Sequence, residues 1–100
     1  GYGLVRNCCG GVTTMPMIYR RTLATVAAED WGFSRSGWTP DALVVNLGTN
    51  DHINGAGINA TFREMYAELV ANVTRDYSPT PHLFLACGPM STAYCGDVFE

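Results

Sequence analysis

Two short blocks of this sequence place reactive side chains where a chain turns off an apolar run. Gly48-Thr49-Asn50-Asp51 follows Ala42–Leu47, and Cys87-Gly88-Pro89-Met90 follows His82–Ala86. In open parallel α/β sheets ligands bind outside the carboxyl ends of the strands, so both blocks belong on one rim. Gly48 lets the backbone turn sharply. Asn50 then offers a neutral amide N–H donor, which can face a developing oxyanion where an Asp, lacking a donor, cannot. Asp51 is assigned a structural part, accepting backbone N–H groups of the turn and fixing the loop that aims Asn50. The same four residues also read as an Asx-rich turn with no ligand at all.

Other reactive groups are sparse. The serines are Ser34, Ser36, Ser78 and Ser91; none follows Gly-Asp or stands in Gly-x-Ser-x-Gly, so no nucleophile elbow is present. His52 directly follows the Asn-Asp pair, whereas His82 opens a strand at the opposite end of the sheet. Cys8 and Cys9 are adjacent and rarely pair with each other, while Cys87 and Cys95 bracket a Gly-Pro turn and suit a short disulfide loop. No C-x-x-C spacing supports zinc, and Cys87 has no histidine placed to activate it as a nucleophile.

These groups need a scaffold to position them. Ala42–Leu47 is apolar on both parities, which predicts a parallel strand covered on two faces. Phe62, Met65, Tyr66, Leu69, Val70 and Val73 recur at intervals of three and four and predict a helix with one apolar stripe, its start marked by a Thr61/Glu64 capping box. His82–Ala86 predicts a second strand after Ser78-Pro79-Thr80-Pro81 has ended the helix. About 35 residues separate the strands, as a β-α-β crossover joining parallel neighbours requires. Upstream, Pro16–Ala28 is expected to form a helix with a proline near its start. The run from Trp31 to Trp38 carries three aromatic residues that either pack on the core or form a platform for a sugar ring.

Composition narrows the field. One hundred residues, 47% hydrophobic and only 15% charged, bury the core of one domain and exclude disorder. Six arginines, no lysine and nine acids leave a formal charge of −3 with no basic cluster, which argues against nucleic acid or an anionic membrane as partner. The longest apolar run is far below the roughly 20 residues that span a bilayer. Asn59-Ala60-Thr61 and Asn72-Val73-Thr74 fit the glycosylation acceptor pattern and, with the even cysteine count, point to a secreted or extracellular protein.

Pro40-Asp41-Ala42-Leu43-Val44-Val45-Asn46-Leu47-Gly48-Thr49-Asn50-Asp51 closely resembles the strand and Gly-x-Asn-Asp block of the SGNH, or GDSL-type, hydrolases. Gly1-Tyr2-Gly3-Leu4-Val5-Arg6-Asn7, Thr14-Met15-Pro16 with Tyr19, and Ala86-Cys87-Gly88-Pro89-Met90 are most similar to the carbohydrate esterase family 2 branch, which deacetylates sugars. The resemblance implies a three-layer α/β/α fold with a parallel sheet, flavodoxin-like and present here in part. It implies a single esterase domain over residues 1–100, truncated at both ends. Asn50 is then the oxyanion-hole residue, and Gly1, with Gly3 as the alternative, supplies a second backbone N–H. Gly48 and Asp51 are structural, and Tyr2, His52 and Trp38 line the substrate pocket. The reaction implied is Ser-His acyl transfer on an acylated carbohydrate or other small ester, without metal or cofactor.

The family's Gly-Asp-Ser block and its late Asp-x-x-His are not found in this sequence, so nucleophile and base have no match here and the chain alone is expected to be inactive. A rival reading is a non-catalytic carbohydrate-binding relative using Tyr2, Trp31 and Trp38. A flavodoxin-like phosphate or flavin module is disfavoured, because Gly1–Arg6 fails the dinucleotide fingerprint and Cys9–Thr14 lacks the lysine of a P-loop.

Overall fold

The structure, a computed structural model, describes residues 1–33, 37–53 and 59–99. After a 3₁₀ turn at Cys8–Gly10 the elements run α1 (Met15–Ile18), β1 (Ala42–Asn46), α2 (Thr49–Ile53), α3 (Asn59–Asp76), β2 (His82–Ala86) and α4 (Cys95–Phe99). β1 and β2 pair in parallel, Ala42 opposite His82 through Asn46 opposite Ala86, so the arrangement is a partial α/β fold with a parallel sheet. The predicted β-α-β unit is present.

The stripe on α3 does the packing. Phe62, Tyr66, Leu69 and Val73 are buried on that helix and meet Val45, Leu4, Tyr94 and Val98 in one core, with Leu43, Leu83 and Leu85 of the sheet against it. Inside that core the Tyr66 hydroxyl donates to the Val45 carbonyl at 3.3 Å, and burial raises the Tyr66 phenol above its ordinary pKa. The opposite face of the sheet, with Val44 66% and Phe84 56% exposed, carries no such cover among the described residues. The two-sided burial expected of β1 is therefore met on one side.

Two further expectations change. α3 begins at Asn59, which puts Thr61 inside its first turn and not at the cap; Asn59 instead donates its amide to Asp97 of α4 at 2.8 Å. The helix expected over Pro16–Ala28 stops at Ile18 and gives way to turns closed by i to i+3 bonds, such as Val26 N–H to the Leu23 carbonyl. Leu23 and Val26 are exposed. A short helix with no covered apolar face is marginal in water, so turns prevail.

α4 is tied on from both sides. Asp97 accepts from Arg63 and Asn59, and Cys95 is disulfide-bonded to Cys87 with 5.3 Å between their Cα atoms. Closing so short a loop removes about 2–3 kcal/mol of chain entropy from the unfolded state. Cys87→Ser is expected to lower stability by that amount in urea unfolding, and an unchanged midpoint would show that the bond is not formed. The Arg63 hydrogen bond, and then the Asn59 amide, hold the Asp97 carboxyl below its ordinary pKa. The carboxylate therefore stabilises the fold fully above its unfolded pKa, and this contribution fades as pH falls through the lower, folded value. Below about pH 4 the native chain is expected to lose stability more steeply than an Arg63→Gln variant. Parallel titration curves would contradict this.

Candidate functional site

The rim at the carboxyl end of β1 is assembled from two segments far apart in sequence. Gly48, with φ of 124°, turns the chain off the strand through a conformation that a side chain resists, and α2 starts at once. His52 N–H closes the first turn on the Gly48 carbonyl at 3.1 Å. Asn50 and Asp51 are thereby presented to the opening residues 1–6.

Asp51 is fully buried, and its carboxylate accepts the successive backbone N–H groups of Leu4 (2.9 Å), Val5 (2.7 Å) and Arg6 (2.9 Å). Three consecutive amides around one carboxylate form an anion nest. The N–H groups it takes thus come from the opening segment and not from its own turn. Leu4, itself fully buried in the core, anchors the same segment from the other side.

The two glycines have different neighbours. A Cβ on Gly1 would lie 2.8 Å from Asn50 Nδ2, and a Cβ on Gly3 would lie 2.7 Å from Asp51 Oδ2. Gly1 is thus packed on the amide and Gly3 on the carboxylate. Asn50 Nδ2 donates to the Tyr2 carbonyl at 3.2 Å, and Tyr2 in turn makes an antiparallel bridge with Asn7. An amide nitrogen carries two hydrogens, so this bond aims the group and, among the described residues, leaves its second N–H available.

His52 is exposed and sets its ring edge-on to Tyr94 at 6.3 Å. Tyr94 stacks on Phe62 at 4.5 Å and lies 3.6 Å from where a Gly48 Cβ would be, adjoining the disulfide at Cys95. Tyr94 and Leu4 escape a sequence reading, because nothing in their local pattern marks contacts with residues 40 to 50 positions away.

Gly1, Tyr2, Gly3, Gly48, Asn50, Asp51 and His52 therefore come together. Trp38 does not. It precedes β1 and sits with Tyr77 at the amino end of the sheet, ring centroids 6.4 Å apart, about 16 Å of strand away from Asn50. That placement corrects its assignment to the same pocket. His82 likewise opens β2 at the far end, as expected. Ser78 lies beside it, its carbonyl accepting from Thr39, while the Ser91 hydroxyl accepts from Ala93 N–H. Ser34 and Ser36 lie outside the described residues. Cys87, bonded to Cys95, has no free thiol; Cys8 and Cys9 do, and Cys9 donates to Cys8 at 2.9 Å. Among the described residues no three metal-ligating side chains gather.

The chain is 35% identical over 92 residues, 90% of its length, to the cellulase/esterase CelE of Acetivibrio thermocellus. It superposes over its whole length, with a TM-score of 0.86 and 32% identity, on an active-site mutant of a family two carbohydrate esterase from Clostridium thermocellum. It resembles the family two carbohydrate esterases. A second structure of a family two carbohydrate esterase, in complex with cellohexaose, matches 99% of the chain with a TM-score of 0.83 and 31% identity. The chain spans 11% of CelE and 31% of each esterase structure. No protein-family model matches it.

Proposed function

We propose that this chain carries the oxyanion-binding rim of an SGNH-type esterase that removes ester groups, O-acetyl above all, from carbohydrate. The observation that supports it is the Asn50 amide packed against Gly1 at the carboxyl end of a parallel strand, aimed by the Tyr2 carbonyl. Nucleophilic serine attacks the ester carbonyl and histidine takes its proton, both drawn from residues outside this sequence. Asn50 Nδ2 and a backbone N–H of the opening segment receive the charge that develops on the carbonyl oxygen. Tyr2 and His52 border the space in which the acylated sugar would lie. The similarity to carbohydrate esterases, one of them in complex with cellohexaose, supports a sugar ester as substrate. The Cys87–Cys95 disulfide and the two glycosylation sequons support an extracellular location.

Acetate release from an acetylated oligosaccharide, measured on the protein that carries this chain, tests the reading. Turnover is expected, abolished by a serine-directed phosphonate. Saturable sugar binding without acetate release would favour instead a non-catalytic carbohydrate-binding relative.

A further inference from the structure

The sequence has two tryptophans, and the structure sets them side by side on the surface. Trp31 is 44% and Trp38 56% exposed, their ring centroids 6.5 Å apart and their planes at 84°. Tyr77 meets Trp38 edge-on and Phe33 meets Tyr77 at 4.8 Å, so the exposed rings are backed by others and held in place. Gly37 and Thr39, on either side of Trp38 in the chain, line a groove of about 620 Å³, a size that small ligands use, with Asp41, Ser78, Thr80 and His82 also in its walls. We propose that this corner is a second carbohydrate site, taking a neutral pyranose oligosaccharide at the end of the sheet opposite Asn50.

The chemistry of the lining selects that ligand. A pyranose carries C–H bonds on its faces and hydroxyls around its edge. Two indoles near a right angle supply a floor and a wall for the ring, and the hydroxyls, carboxylate and imidazole of the groove meet its rim. An apolar partner would strip water from Thr80 and Asp41 without replacing their hydrogen bonds. An anionic ligand would face the Asp41 carboxylate. The inference rests on the proposed function only in taking sugar as the class of ligand.

Because the Asn50 rim holds no tryptophan, indole emission reports on this corner alone. Titrating the full chain with cellohexaose is expected to give a saturable emission change that persists in Asn50→Ala. Trp38→Ala, read through the remaining Trp31, is expected to weaken binding roughly tenfold or more, with its thermal melt confirming a folded chain. Thr80→Val is expected to weaken binding with both fluorophores retained. Constant emission up to millimolar sugar would overturn the proposal, as would a change that Asn50→Ala abolishes. Emission that shifts with protein concentration and not with sugar would overturn it too, marking a contact between copies. Loss of esterase activity leaves this readout untouched, so the two readings fail separately.

Discussion

Asn50→Ala, made in the protein that carries this chain, is expected to lower kcat for acetyl-ester hydrolysis by about two to three powers of ten, with KM little changed. Removing one preorganised donor from an oxyanion hole typically costs about 3–4 kcal/mol in the transition state, where the charge has developed, and little in the ground state. The fold should survive. The side chain is only partly buried and, among the described residues, donates to a neutral carbonyl, at 3.2 Å to Tyr2, a bond worth about 0.5–1.5 kcal/mol. Asn50→Asp is the sharper variant, because a carboxylate of nearly the same shape lacks the donor and repels the oxyanion. It should be at least as inactive as the alanine. Steady-state kinetics beside a thermal melt separate the two effects, and near-normal turnover in Asn50→Ala would remove the residue from the reaction.

Asp51→Ala should act through stability. Its carboxylate is fully buried and holds three backbone N–H groups at 2.7 to 2.9 Å, and bonds to a charged acceptor are the stronger kind. Alanine leaves those donors facing a void, at an expected cost of about 3–5 kcal/mol. Against the 5–15 kcal/mol of a typical domain that is a large fraction. Asp51→Asn can keep an oxygen on the Val5 and Arg6 N–H groups but turns its NH₂ group toward the Leu4 N–H and loses the charge, so it rescues only in part. Urea unfolding gives the magnitude. Amide exchange gives the location: Leu4, Val5 and Arg6 should lose protection first, freeing the segment that brings Gly1 and the Tyr2 carbonyl to Asn50. A variant within 1 kcal/mol of the parent would show the nest to be dispensable.

Position 51 also shows how far a sequence reading reaches. That the residue is structural follows from its place beside Asn50 in a turn. Which amides it binds does not, since they lie 45 to 47 residues away and come near only when Leu4 enters the core. Gly1 is likewise not separable from Gly3, its alternative, by order alone; chain packing sets Gly1 on Asn50 and Gly3 on Asp51. Tyr94 joins Gly48 and His52 by a similar long return of the chain. Trp38 is the opposite case. It precedes a parallel strand and so had to lie at the amino end, a signal present in the order of residues alone.

What local pattern could decide, it decided: β1, α3 and β2 each carry their apolar pattern within their own segment, and the Gly48 turn follows from a backbone angle that glycine adopts freely. Where the pattern is ambiguous, burial arbitrated. Residues 22–28 continue a helix-like spacing but are exposed, and Thr61 has a cap's chemistry but lies within a helix that starts earlier, where Asn59 reaches Asp97. The residue types of the candidate rim were thus legible on one loop. Its geometry was not, because an amide, a glycine and a carboxylate become a site only when the core holds residues 1–6 against residues 48–52.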